Sequence, residues 1–344
     1  MGGRAAAEQA NKEACFGSGL CCLYRNAFIS NTRIKCRSGK TVKEKKESNM
    51  DKILKDKKAI CVFIVPALIM FIVILVIPIF QMLYYSLCDY NALTPPKFIG
   101  LANYKKLFIK DKTFRIALKN SLFFMIFSAV TQQVIGLLLA VLLTNIPKGR
   151  NLFKNIYYLP SVLSSAALGL LWAFLFNPKI GINQLLARIG IKGPLWLMDS
   201  KGFIVLPMWV IAFVALWQYV GQNMMLYMAQ ITGISRELYE ASYIDGASKV
   251  KAFRYITLPL IKPMVVTSLS LNCIGSLKFF DLVYNMTQGG PNHRSEVLAT
   301  HLYAEGFNYF KYGYASAISV VLLVMCLLVT LVVKKMIKVE TYEG

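Results

Sequence analysis

Within the long apolar runs of this 344-residue sequence, few side chains offer polar chemistry: Gln132, Gln133, Ser164, Ser165, Gln218, Gln222, Asn223, Asn272, Ser276, Lys278 and Asp281. Amides and hydroxyls at such places first serve hydrogen bonding between helices. Lys278 and Asp281, three apart, are expected to pair, which offsets the roughly 2.5–3.5 kcal/mol cost of an ionised group at bilayer depth. No Ser/His/Asp or Cys/His constellation stands in a supporting motif, so the sequence does not read as an enzyme. The eight cysteines match no zinc spacing, with Cys15, Cys21, Cys22 and Cys36 in a polar stretch and the rest scattered through apolar segments. His293 and His301 read as solvated loop residues, because no Cys or carboxylate accompanies them at metal-ligand spacing. Gly39-Lys40-Thr41 ends a phosphate-binding loop signature, but Ile34 stands where that signature needs Gly, so no ATP site is expected in this chain.

The elements that position these residues are membrane helices. Hydrophobic residues make up 56% of the chain and charged residues only 16%, and the apolar ones gather into runs rather than alternating with charge. Runs near 60–86, 119–144, 155–177, 205–229, 263–283 and 313–335 are each long enough for a helix of about 20 apolar residues. The expectation is an all-α polytopic membrane protein with six transmembrane helices. The first run is too long and too internal for a cleaved signal peptide. The net charge of +22 raises nucleic-acid binding, but position decides against it. Lys43, Lys45, Lys46, Lys52, Lys55, Lys57 and Lys58 crowd just before the first run, and Lys334, Lys335 and Lys338 follow the last, which places both termini in the cytoplasm of a multi-pass cell-membrane protein. Lys97, Lys105, Lys106, Lys110, Lys112 and Arg115 in the first outer loop weaken that charge rule. Residues 1–57 read as a disordered basic tail, of which 1–49 resembles an upstream extension ahead of a start at Met50; 58–338 form the membrane domain, and 339–344 a short C-terminal tail.

Between the fourth and fifth runs, residues 234–259 predict two short cytoplasmic helices around a glycine. Ser235 caps the first, Glu237 suits its opening turn, and Gly246 supplies a left-handed terminator. Ser248 caps the second, which Leu258-Pro259 closes before Pro263 opens the fifth span. Tyr239, Ala241 and Ser242 give the first helix one aromatic and small residues for close docking. An amphipathic loop resting on headgroups shares this periodicity and is the commoner case.

The stretch Glu240-Ala241-Ser242, Gly246, Ile256 and Leu258-Pro259 resembles the E-A-A-x3-G-x9-I-x-L-P motif of permease subunits in binding-protein-dependent ABC importers, with Ser242 replacing the second Ala. Phe98-Ile-Gly-Leu-Ala-Asn-Tyr104, Tyr158-Leu-Pro160, Gly181-Ile-Asn183, Thr287-Gln-Gly-Gly-Pro291 and Gly313-Tyr-Ala-Ser-Ala317 are similar to segments of the carbohydrate-uptake branch, which includes maltose, glycerol-3-phosphate and multiple-sugar types. The resemblance implies a permease of an ABC importer, for sugars or oligosaccharides, acting with a second homologous permease, two cytoplasmic ATPase subunits and an extracytoplasmic binding protein. ATP and Mg would then belong to the ATPases, and this chain would carry no cofactor. The segment around Glu240, Ala241, Ser242, Asp245 and Gly246 would be the coupling helix, with Ile256, Leu258 and Pro259 completing its loop.

A sugar needs amides for its hydroxyls and an aromatic face for its C–H surface. That chemistry selects Trp217, Gln218, Asn223, Asn272 and Ser276 as substrate-path candidates. Three other readings compete: a permease for another solute such as glycerol-3-phosphate, a stand-alone secondary transporter, and a non-transporting membrane scaffold. The absence of a clear internal sequence repeat counts against the secondary transporter.

Overall fold

The computed structural model describes residues 57–336 except Pro147; the expected tails at 1–49 and 339–344, with Met50 and Lys338, lie outside the described residues. The chain divides into two compact units, Met1–Ile72 and Val73–Gly344. The described part of the first is helix α1, Lys57–Phe71, which carries Pro66 in its interior. The second unit holds α2 (Ile77–Ser86), α3 (Lys112–Asn145), α4 (Arg150–Val162), α5 (Ser165–Leu175), α6 (Leu206–Gly233), α7 (Arg236–Ile244), α8 (Leu258–Leu277), α9 (Asp281–Thr287) and α10 (Tyr312–Met336), with shorter helices between them. One departure from the expected all-α architecture is a two-residue antiparallel ladder in which Cys88 pairs with Phe98 and Asp89 with Lys97.

Four helical stretches are long and apolar enough to cross a bilayer: Ile64–Ser86, Lys112–Asn145, Lys249–Thr287 and Tyr312–Lys335; α4 and α5 together make a fifth if counted as one span. The expected straight run at 155–177 is in fact this pair, bent by 94°. Leu163 breaks the helix with extended backbone, and Pro160 lies three residues before it. The expected fourth span, α6, is helical for 28 residues, about 42 Å at 1.5 Å per residue, but Gln218, Gln222 and Asn223 lower its apolar character. The reason is its position: α6 buries residues around much of its circumference, against α3, α4, α8 and α9. Amides there can find protein partners instead of facing hydrocarbon.

Three apolar clusters hold the second unit together. Phe124, Met208, Ile211, Val214, Leu282 and Val283 join α3, α6 and α9. Leu107, Phe114, Leu298, Tyr314 and Ile318 join the start of α3 to α10. Ala140, Leu143, Met224, Tyr227 and Met228 close the other end of the α3–α6 pair. Glycines set how closely the helices approach. A Cβ on Gly136 of α3 would stand 2.9 Å from the Asn223 Cβ, and one on Gly221 of α6 would collide with the Tyr157 carbonyl oxygen of α4.

Three expectations about charged and proline residues are corrected. Lys278 and Asp281 form no ion pair, because the helix ends at Leu277 and restarts at Asp281, so the two do not share a helix face. His301 is not solvated: it is 4% exposed, and its Nε2 lies 2.9 Å from Asp111 Oδ2. His293 is exposed but binds Glu296 Oε1 through Nδ1 at 3.1 Å. Asp111 also caps α3 by accepting from the Phe114 N–H and accepts the Tyr314 hydroxyl at 2.6 Å. Burial pushes the Asp111 carboxyl up, but Tyr314, Phe114 and His301 together outweigh it and hold the group below its ordinary value. Its stabilising contribution is therefore present above the unfolded carboxyl's pKa and lost as pH falls through the lowered folded value. Pro259 does not close a helix: it stands in the first turn of α8, after a π-helical turn at Phe253–Thr257, while Pro263 lies inside α8. The wider π turn accommodates a residue without an N–H, so helix continues from Lys249 to Leu277.

Gly221→Val is expected to destabilise the protein by about 1–3 kcal/mol or more, because neither the Tyr157 backbone nor α6 has room to yield. Gly233→Ala, whose Cβ meets nothing within 4 Å, is expected to unfold with the parent in a thermal melt in detergent.

Candidate functional site

The loop between α6 and α8 is built by local capping. Ser235 Oγ accepts from the Glu237 N–H at 3.3 Å, and Ser248 Oγ accepts from the Lys251 N–H at 3.4 Å. Gly246 ends α7 at φ +77°, in the left-handed region that favours glycine. Glu240, Ala241, Asp245, Gly246 and Pro259 are exposed, whereas Ser242, Ile256 and Leu258 are half-buried. Tyr239, Ala241 and Ser242 do not form one outward face as expected. Tyr239 turns inward and its hydroxyl lies 2.8 Å from Thr257 Oγ1, while Ser242 donates to the Tyr239 carbonyl at 2.8 Å. That bond satisfies the hydroxyl that distinguishes Ser242 from alanine. Leu238 at 47% and Ile244 at 86% exposure flank Ala241 as an apolar strip beside the exposed Glu237 and Glu240. No residue of α7 is buried, so the helix stands as a knob held by Tyr239 at the foot of α8.

A cavity of about 240 Å³ lies among α3, α6 and α8, lined by Gln132, Gln222, Asn223, Ser268, Asn272 and Ser276 and by the rings of Phe124, Tyr219 and Phe279. Its polar wall, Gln222 apart, is one network. Gln132 Oε1 accepts from Asn272 Nδ2 at 2.9 Å and from Asn223 Nδ2 at 3.3 Å. Ser268 donates to Asn223 Oδ1 at 2.7 Å, and its Oγ lies 3.2 Å from Gln133 Oε1, which also accepts the Tyr227 hydroxyl. Ser276 donates to Asn272 Oδ1 at 3.3 Å. Phe279 stacks on Phe124 with ring centroids 4.4 Å apart, closing one end. Neutral amides and hydroxyls beside aromatic rings can hold a hydroxyl-rich, uncharged solute.

Of the five candidates chosen from the sequence, Asn223, Asn272 and Ser276 meet at this cavity, and Trp217 and Gln218 do not line it. Gln218 faces the α4–α5 bend, where it donates to Ser165 Oγ at 2.9 Å and to the freed Leu163 carbonyl at 3.4 Å. Trp217 is 37% exposed and packs edge-on against Trp172. The sequence reading omitted Gln132, Gln222, Ser268, Tyr219, Phe124 and Phe279 from the path. The adjacent amides Gln132-Gln133 in an otherwise apolar run were the available signal.

The model of the family described as "Binding-protein-dependent transport system inner membrane component" matches residues 132–338. This chain belongs to that family. Among curated relatives, the probable ABC transporter permease protein YurN of Bacillus subtilis (strain 168) is 39% identical over 287 residues, covering 82% of this chain and 96% of its own. The arabinooligosaccharides transport system permease protein AraP of the same organism is 30% identical over 298 residues, covering 85% of this chain and 92% of its own. Among solved structures, a bacterial ABC transporter involved in the import of the acidic polysaccharide alginate superposes with a TM-score of 0.72 over 84% of this chain and 98% of that one, at 24% identity, a likeness of fold. The match begins at Gln132, so the family region contains most of the cavity wall and the whole α7 loop.

The network predicts coupled losses. Gln132→Leu strands the Asn223 and Asn272 amides and is expected to cost about 1–3 kcal/mol for each buried group left unpaired. In a double-mutant cycle with Asn272→Leu, thermal unfolding in detergent is expected to show a coupling of about 0.5–3 kcal/mol. Additive losses would mean that the two amides do not share a bond.

Proposed function

We propose that this chain is a membrane-spanning subunit of an ATP-driven importer of sugars or oligosaccharides, and that α7 transmits ATPase closure to the cavity. One observation carries the reading: an exposed helix bearing the Glu240–Gly246 signature is held by Tyr239 to the helical segment that continues into the cavity wall. The name of AraP supports saccharide as cargo, and the cavity's neutral amides and rings fit that chemistry.

In this reading the membrane part has six spans, with α6 as the polar, protein-enclosed one and α4–α5 as a bent one. Both termini and the α7 loop are cytoplasmic. A second permease completes the cavity, an extracytoplasmic binding protein delivers the solute, and two ATPase subunits hold ATP and Mg. The chain performs no bond chemistry. It converts a push on α7 into a change of access, using the free energy by which nucleotide favours one of two packings.

Purification of the intact complex from native membranes in mild detergent tests this. The parent protein is expected to bring down an ATPase and a second permease. Gly246→Asp, which forces a side chain into φ +77° at the end of α7, is expected to retain the permease partner and lose the ATPase. Recovery of the parent without any ATPase, or undiminished solute uptake by the variant, would contradict the coupling role.

A further inference from the structure

A second, larger cavity of about 900 Å³ opens between the end of α3, the start of α4 and the α7 loop. Arg150, Arg236 and Lys249 line it together with Tyr239 and Tyr243, and no carboxylate does. None of the three cations has an ion-pair partner among the described residues. Val134, Leu137, Leu138 and Val141 of α3 add an aliphatic stripe, and part of the lining faces outward: Val134 is 61%, Leu138 55% and Val250 76% exposed. Arg150 opens α4, whose first turn holds no acidic residue, so its positive side chain opposes the helix dipole there and an anion would relieve it.

We infer that this cavity binds the phosphate headgroup of an anionic phospholipid, with an acyl chain laid along the exposed α3 wall. Charge selects the anion, and the aliphatic stripe of α3 selects an amphiphile over a free phosphate. Such a lipid would sit between the α7 knob and the bundle and so stiffen the loop that Tyr239 anchors. This site is separate from the amide-lined cavity and does not depend on the identity of the transported solute.

The test reconstitutes the full chain in nanodiscs of equimolar dioleoylphosphatidylglycerol and dioleoylphosphatidylcholine and counts retained lipid by native mass spectrometry. The parent is expected to retain phosphatidylglycerol selectively, and the combined variant Arg150→Gln, Arg236→Gln, Lys249→Gln to lose it. Val250→Glu, at a well-exposed position that burial does not constrain, is expected to lose it as well by placing a carboxylate beside Lys249. Lys334→Gln with Lys335→Gln, at the end of α10, should change nothing. Equal retention by the parent and the cavity variants would overturn the proposal, as would equal loss in the α10 control, which would indicate a diffuse basic surface. Displacement by millimolar inorganic phosphate would reassign the site to a soluble anion and overturn the lipid assignment.

Discussion

Amides buried among apolar helices are costly unless they find one another, and the centre of this protein is organised by that requirement. Gln132 Oε1 accepts from both Asn223 and Asn272, so one side chain of α3 fixes the relative rotation of α6 and α8. Gly136, one turn along α3, lets α6 approach closely enough for those bonds to form. The same requirement shapes α6, whose Gln218 also supplies a donor to the carbonyl released at the α4–α5 bend. Polar residues that weaken α6 as an apolar span are thus the residues that hold the bundle together, while Gln222 remains exposed at the cavity.

The second constraint is mechanical. Helix continues from Lys249 to Leu277 through a π turn, so the α7 loop and the cavity wall are joined by backbone rather than by a flexible linker. Tyr239 adds a side-chain tie at Thr257, one residue before α8 begins. A force on the exposed face of α7 therefore reaches Ser268, Asn272 and Ser276 through packed helix. At the opposite end, the Asp111, His301 and Tyr314 cluster ties the start of α3 to α10. Helices held at such junctions change by shifting as units.

What could be read from the sequence follows the range of the forces involved. The caps at Ser235 and Ser248 and the left-handed Gly246 are local, and the structure places each as its neighbours in sequence predict. Apolar runs such as 119–144 and 313–335 coincide with helices because hydropathy is local too. Partnership between distant residues is not: nothing near His301 announces Asp111, and nothing near Gln218 announces the bend at Leu163. The Lys278–Asp281 spacing misled because it assumed an unbroken helix, and Pro259 misled because a π turn accommodates it. Asn223, Asn272 and Ser276 were legible as polar residues in apolar runs, but which of the eleven polar positions share a cavity depends on helix rotation, which the bundle sets.

Side-specific labelling of Gln222→Cys tests the central claim, that loop and cavity move as one device. In the complete transporter reconstituted in liposomes, a membrane-impermeant maleimide is expected to reach this exposed cavity position from one side without nucleotide and from the other with a non-hydrolysable ATP analogue. Tyr239→Phe, which cuts the tie to Thr257, is expected to blunt the switch without changing labelling in the nucleotide-free state. Labelling from the same side in both states, with ATPase bound, would contradict the account.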